Sequence, residues 1–353
     1  MTVSVDHDLK QDNLETTLMN AFGEAPYGIT NRTIHLDLSK SYWYDLGVAL
    51  WLISLLHKLQ RQHNDVQLVL PDPSHSTKAT NLWGFLFRWR FFDALSICVT
   101  DASNLLPADQ QQYLAQDSPL RLRYSVESPH LVGEGREEAF RALRRLLEIT
   151  AVGLVPNVID ENVDPLGTFL QNCNDRVLVT SISKHCGWQR EQAEDFAERV
   201  VSEGVLNASF HHADGSFALV AMRLDLRWLT LVIADNGLGI PHALRSSAMK
   251  LKPQTTDAEL IEYYTDPDFV LASFTDSEII KLSTQSGVTS LEGRKGVGLY
   301  YLKKHVLDQH GELRIRSGRA CVDFTSDGVD SSDTWPESPG TMLRVRLPIR
   351  PAE

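Results

Sequence analysis

The chain has 353 residues, 42% hydrophobic and 23% charged, a balance that excludes general disorder and leaves room for about two domains. Its 34 Lys and Arg stand against 46 Asp and Glu, a net charge of −12, which argues against sequence-independent coating of nucleic acid, where basic charge supplies most of the affinity. The longest apolar run, Leu46 to Leu56, falls well short of the roughly 20 residues a membrane-spanning helix needs, and the polar start around Asp6 and Asp8 does not read as a signal peptide.

The first elements fall between Thr33 and Asp101 and read strand, helix, strand, helix, strand. Ile34 to Leu38 alternates like a half-buried strand. Asp45 to Gln60 is apolar on nearly every side in its first three turns, so it predicts a helix covered by other elements. Val66 to Leu70 predicts a second strand, closed by Pro71 and Pro73, because proline cannot continue a ladder. Phe85 to Ala94 predicts an aromatic-rich helix and Leu95 to Val99 a third strand. Residues 30–101 are therefore expected to form an α/β domain, with a parallel sheet favoured by the crossover helices. Trp43, Trp51, Trp83 and Trp89 are expected to pack in its core.

Residues 102–188 are expected to connect this domain to the next. They are polar and turn-rich to about Val132, and Arg136 to Leu147 predicts a charged helix with Phe140, Leu143, Leu146 and Leu147 on one side. Residues 189–353 form the second predicted domain. Its pattern is a long helix to about Ser209, strands at Phe217 to Leu224 and Trp228 to Ala234, and then a long Ser/Thr-containing stretch. A helix from Gly298 to His310 follows, then strands at Glu312 to Ser317, Ala320 to Thr325 and Thr341 to Leu347, making an α+β sandwich. The four cysteines, Cys98, Cys173, Cys186 and Cys321, have neither C-x-x-C nor zinc-finger spacing and fit a reducing cytoplasm.

Four short features in the second half carry chemistry. In the first helix Ala193, Phe196, Ala197, Val200 and Gly204 recur at helical spacing, and Glu203 and Asn207 stack one turn apart along the edge of that buried stripe. An inward carboxylate and amide need a bonding partner, which a metal nucleotide would supply; a backbone-capping Glu and a helix-ending Asn are the plainer alternative. The apolar strand Leu231 to Ala234 delivers Asp235, then Gly237 and Gly239. Such an Asp can accept from an exocyclic amino group while the glycines let backbone approach a flat ring, although Asn-Gly also makes ordinary hairpin turns. Lys295, Gly296, Gly298 and Leu299 lead into the next helix, whose free N–H groups and dipole suit phosphate. This is neither a Walker A loop nor a Rossmann fingerprint, since Tyr301 stands where a third glycine belongs. Last, Gly340-Thr341 sets a hydroxyl at the start of the final strand.

In order and spacing these features resemble the four nucleotide-binding boxes of the GHKL superfamily of gyrase, heat-shock chaperone, histidine kinase and MutL ATPases. The resemblance implies the Bergerat-type ATP-binding sandwich over roughly Gln189 to Pro348, with ATP and Mg2+ as cofactors. It implies that Asp235 bonds the adenine amino group with Thr341 beside it, and that Asn207 holds Mg2+. Glu203 would orient or deprotonate the attacking group, Lys295 would meet phosphate charge, and the boxes at Gly237, Gly239, Gly296, Gly298 and Leu299 would frame a lid between Gly239 and Gly293. Glu203-x-x-x-Asn207-Ala-Ser-Phe-His211 looks most like the anti-sigma-factor serine kinases. Residues 30–101 resemble a STAS domain, the partner and substrate of those kinases, but Leu46 stands where that family carries its phosphorylatable serine. The expected protein is thus a cytoplasmic ATP-binding regulator, either an Mg-dependent ATPase or serine/threonine kinase, or an ATP-gated interaction switch. It would have a regulatory protein partner, no membrane association and a possible homodimeric state, dimers being frequent in the resembled family. A sensor histidine kinase is disfavoured for want of a membrane segment and a phosphoacceptor helix.

Overall fold

The computed structural model describes residues 2–4, 29–42, 45–100, 102–124, 144–153, 178–198, 204, 217–225, 227–246, 271, 273–288, 297–335 and 337–349. The chain divides into two compact units, Met1–Ala151 with Leu219–Leu224, and Val152–Ala218 with Asp225–Glu353.

In the first unit β1 (Thr2–Ser4), β2 (Thr33–Asp37) and β3 (Asp65–Val69) form a three-stranded sheet in that order, and both pairings are parallel. The alternation at Ile34 and Leu36, and at Val66 and Leu68, turns those side chains into the core. Helix α1 (Leu46–Arg61) makes the crossover from β2 to β3 that a parallel pair requires. It starts at Asp45, whose side chain accepts from Val48 N at 3.2 Å, and it is buried without a break from Leu46 to His57. Helix α2 (Thr77–Arg88) is capped by Ser76, which accepts from Ala79 N at 3.1 Å. On its buried side Trp83 donates Nε1–H to the Pro71 carbonyl at 2.8 Å, so the indole fills the core without stranding its one polar atom. Trp51, Trp83 and Trp89 are buried; Trp43 lies outside the described residues.

Three expectations for this region are corrected. Leu95 to Val99 is not a strand: Phe91–Cys98 is helix α3, and Phe85 belongs to α2. The buried residues of α3 are Phe91, Ala94, Leu95 and Cys98, a helical spacing, while Ile97 is 67% exposed. Arg90, in left-handed backbone at φ 55°, separates the two helices. The third strand comes instead from β1 at the chain start. The segment after Asp101 is not unpatterned, since it holds helices α4 (Ala108–Gln111) and α5 (Pro119–Tyr124) and two 3-10 turns, Ala102–Leu105 and Gln112–Leu114. From α4 the amide of Gln110 accepts from Leu70 N at 3.0 Å and donates to Leu70 O at 2.6 Å. It satisfies the strand end that the two following prolines leave without a ladder. Of the expected charged helix at 136–147, the last four residues lie in strand β4 (Arg144–Gly153) and the rest lie outside the described residues.

His57 is buried in α1, and burial with Arg61 and Lys58 close by lowers its pKa from 6.5 to about 4. Between those values the unfolded chain takes up a proton that the folded chain does not. The associated stability is complete above pH 6.5 and declines as pH falls toward 4, by on the order of 2 kcal/mol once partial exposure is allowed for. Urea unfolding at pH 7 and pH 4 is expected to show a smaller acid loss in His57→Leu than in the unsubstituted chain. Equal losses would remove His57 as the cause.

In the second unit a sheet runs in the order β6-β10-β7-β8-β9. The remaining strands are β5 (Phe217–Leu224), β6 (Trp228–Asp235), β7 (Glu312–Ser317), β8 (Ala320–Thr325), β9 (Gly328–Ser332) and β10 (Thr341–Pro348). The turn from β5 to β6 is closed by Asp225, whose Oδ1 accepts from Arg227 N and Trp228 N, both at 2.9 Å. β10 runs antiparallel to both β6 and β7, so the last strand of the chain lies between two earlier ones. The added edge strand, β9, is short, polar and exposed at its start, features that suit a sheet edge.

Helices α6 (Val179–Cys186) and α7 (Arg190–Ala197) belong to the second unit. Trp188 meets Phe196 edge-on at 5.1 Å. Of the expected continuation of α7 toward Ser209, only Gly204 is described. A Cβ there would stand 2.9 Å from Ile233 Cδ1 of β6, so the missing side chain lets this backbone lie close on the sheet. The stretch expected as a lid contains α8 (Ile240–Ser246) and α9 (Asp276–Ser283), which share a small core of Leu244, Leu271, Ile279, Leu282 and Val288. Helix α10 (Gly298–Asp308) packs Leu302 and Val306 inward. Cys98, Cys186 and Cys321 are buried, Cys98 and Cys186 form no disulfide among the described residues, and burial pushes the Cys186 thiol up to about 12. Among the described residues no helix is long and apolar enough to cross a membrane.

Candidate functional site

β6 is buried from Leu229 to Ala234 and ends at Asp235, where the chain becomes half-buried. An apolar strand thus brings a carboxylate to the edge of the core and releases it there. Its Oδ1 accepts two backbone N–H bonds, from Gly237 at 2.8 Å and from Thr341 at 3.1 Å. The first bond closes the turn after β6. The second reaches across to the first residue of β10, which the pairing of Met342 with Ala234 sets beside the strand end. The next residue, Asn236, points its Oδ1 at Phe217 N at 3.0 Å, tying the same turn to β5.

Two glycines are required here. At Gly340 a Cβ would overlap both the carbonyl oxygen and Oδ1 of Asp235. Gly239 has φ 81°, and a Cβ on it would meet Ser317 Oγ at 2.9 Å. From that turn α8 begins at once, with Ala243 N donating to Gly239 O at 3.0 Å. Ser317, the last residue of β7, is fully buried. Its Oγ accepts from Ile240 N at 2.8 Å and lies 3.0 Å from Thr341 Oγ1. The corner therefore joins β6, β7, β10 and the start of α8.

Gly340→Ala is expected to cost about 2–3 kcal/mol, because the clashing atoms are backbone and a fixed carboxylate rather than a movable side-chain tip. Thermal melting checks this, and an unchanged midpoint would show that the corner can give way.

The β7–β8 turn is braced from the other side. Arg319 N donates to Asp276 Oδ2 at 2.7 Å, and Arg245 pairs with Asp276 Oδ1 at 2.7 Å and donates to Phe274 O at 2.9 Å. Ser277 donates through N and Oγ to Asp333 at 2.7 and 2.6 Å. Arg316, 1% exposed, donates to the carbonyls of Gly318 and Ala320 at 2.6 and 3.0 Å and lies over the Trp335 ring. On α10, Lys303 donates to Thr284 Oγ1 at 3.0 Å and lies over Phe324, and burial lowers its pKa.

Of the residues singled out in the sequence, Asp235, Gly237, Gly239 and Thr341 come together in this corner. Gly298 and Leu299 open α10, whose N-cap Val297 makes no side-chain capping bond. Glu203, Asn207, Lys295 and Gly296 lie outside the described residues. Ser317 was not anticipated, since a serine ending an ordinary strand carries no spacing signal. Among the described residues no group of three or more His, Cys, Asp or Glu could hold a metal ion.

A family model, the histidine kinase-, DNA gyrase B- and HSP90-like ATPase (HATPase_c), matches residues 192–351. This segment contains the whole corner. Residues 192–351 are an ATPase domain of the GHKL type. A nucleotide is thereby the expected ligand of this domain, and the α/β sandwich is the fold of its kind. No curated protein matches the chain. Among solved structures, the mycobacterial sensor histidine kinase MprB is similar at 20% identity over 47% of this chain and 77% of its own, with a TM-score of 0.25, too slight a likeness to carry a function across. The described corner of the ATPase domain presents a half-buried carboxylate locked by two backbone donors, a neighbouring hydroxyl, and two glycines that let backbone pack closely on Asp235 and Ser317.

Proposed function

We propose that this chain is a cytoplasmic, ATP-dependent regulatory protein of the anti-sigma-factor kinase type, in which the domain at 192–351 binds MgATP for phosphoryl transfer or hydrolysis. The observation that carries the reading is the Asp235 carboxylate, fixed by Gly237 N and Thr341 N inside an ATPase domain. Asp235 accepts from the adenine amino group, and Gly237 and Gly239 admit the ring. Glu203 acts as base or water-positioner, and Asn207 holds the cation. Lys295 and Gly296 contribute to phosphate binding, together with Gly298 and Leu299 at the start of α10, where helix N–H groups favour anions. When bound, Mg2+ supplies charge neutralisation between the phosphates.

The first unit is read as STAS-like, from its parallel strands and crossover helix. Leu46 is 1% exposed at the start of α1 and carries no hydroxyl, so the phosphoryl acceptor is sought in a separate regulatory protein. The same observation favours a second reading, an ATP-gated switch in which nucleotide alters partner contacts without turnover.

Phosphate release and labelled γ-phosphate transfer by the purified chain, with and without Mg2+, separate the two. Mg-dependent turnover supports the enzyme. MgATP binding without turnover, accompanied by ATP-dependent partner binding, supports the switch. Failure to bind ATP at all would overturn both.

A further inference from the structure

We propose that Ser317 is a specificity-determining positioning residue, which sets the hydroxyl of Thr341 as a hydrogen-bond donor toward the base and so selects adenine over guanine. The inference rests on the reading of this corner as the adenine end of the nucleotide site.

A serine hydroxyl has one proton and two acceptor lone pairs. One lone pair of Ser317 Oγ receives Ile240 N–H at 2.8 Å, and the oxygen also lies 3.0 Å from Thr341 Oγ1. Two proton arrangements satisfy the second distance. If Thr341 donates, Ser317 takes two protons on its lone pairs, and its own proton has no acceptor among the described residues. Ser317 is fully buried, so that orphaned proton would carry the desolvation penalty of a buried, unsatisfied donor. If Ser317 donates, its one proton and one of its lone pairs are engaged, no donor is left orphaned, and the Thr341 proton turns outward. Thr341 is half-buried, so it can give that proton to water or to a ligand. Burial of one hydroxyl thus fixes the polarity of the other.

The corner then offers an acceptor, Asp235, beside a donor, Thr341, the two joined by Thr341 N–H on Asp235 Oδ1 at 3.1 Å. Adenine carries the complementary edge, an N6 amino donor next to the N1 acceptor. Thr341 meets N1 directly or through one water. Guanine reverses both atoms, with O6 as acceptor and N1–H as donor, and so opposes a carboxylate to a carbonyl and a hydroxyl proton to an N–H. Gly239 belongs to the same device: any side chain there would push on Ser317 Oγ.

The experiment compares binding of ATP, GTP and 1-deaza-ATP to the full chain and to Ser317→Ala, Thr341→Val and the double variant, with Asp235→Asn as a separate control on the nucleotide site. In the unsubstituted chain 1-deaza-ATP, which lacks the N1 acceptor, should bind about 10-fold more weakly than ATP. In Ser317→Ala the ATP-to-GTP preference should fall about 10-fold. The double variant should match Thr341→Val, because Ser317 acts through that hydroxyl. Equal ATP and 1-deaza-ATP affinity in the unsubstituted chain overturns the proposal, and this arm holds even if Ser317→Ala does not fold. A parallel loss of ATP and GTP affinity in Ser317→Ala, with the preference kept, overturns it as well by reducing Ser317 to a structural role. If Asp235→Asn weakens ATP while the preference survives Ser317→Ala, only this inference fails; if the unsubstituted chain does not bind ATP, the underlying reading fails with it.

Discussion

Asp235→Asn is expected to weaken MgATP binding on the order of 10- to 100-fold while leaving the fold intact. The substitution is clean because of how the carboxylate is held. Oδ1 takes the N–H groups of Gly237 and Thr341, and an asparagine Oδ1 can accept the same two bonds. Only the second oxygen changes, from an acceptor to an NH2 donor. Where Asp235 accepts from the adenine amino group, as proposed, the amide donor in its place forfeits a charge-assisted hydrogen bond worth about 1.5–3 kcal/mol. Calorimetric titration of both proteins measures the difference, and the melting temperature reports the corner. Unchanged affinity would mean that Asp235 is only a turn residue closing the β6 strand end. Lost affinity with a large drop in melting temperature would place the effect in folding.

Glu203→Ala is expected to leave MgATP affinity within a few-fold and to lower turnover on the order of 10²- to 10⁴-fold, the usual contribution of a positioned general base. The expectation follows from the helical stripe of Ala193, Phe196, Ala197 and Gly204. Three of these are buried in α7, and Gly204 lies against Ile233 and Leu343 of the sheet. By sequence spacing Glu203, which lies outside the described residues, is expected at the edge of that stripe. Phosphate release under saturating MgATP checks the prediction. Equal turnover in both proteins would remove Glu203 from the chemistry, whereas loss of binding and turnover together would give it a binding role.

The candidate site was legible where chemistry needs a local pattern. The run Leu231 to Ala234, then Asp235, Gly237 and Gly239, marked strand, strand-end carboxylate and turn in one stretch, because each depends on neighbours within a few residues. Gly340-Thr341 was legible for the same reason. The helix start at Asp45 and the strand stop at Pro71 were also local, a capping carboxylate and a missing N–H. Ser317 and Gln110 were not. Their roles arise from partners far along the chain, at Ile240 and Thr341 in one case and at Leu70 in the other. Nothing in their flanks marks them.

Leu95 to Val99 shows the other limit. A short apolar run fits a buried strand or a buried helix equally by periodicity. The choice was made by which residues found cover: Ala94, Leu95 and Cys98 inward, Ile97 outward.

By itself, then, the amino-acid sequence determined the alternating strands, the crossover helix opening at Asp45 and the strand-end carboxylate with its glycine turn, since each is set by backbone geometry over a few positions. Tertiary structure alone decided that Thr2–Ser4 supplies the third strand of the first sheet, that Arg144–Gly153 is extended, and that the last strand enters between β6 and β7. Those outcomes depend on pairing and burial between distant segments, whose free energy exists only once the segments meet.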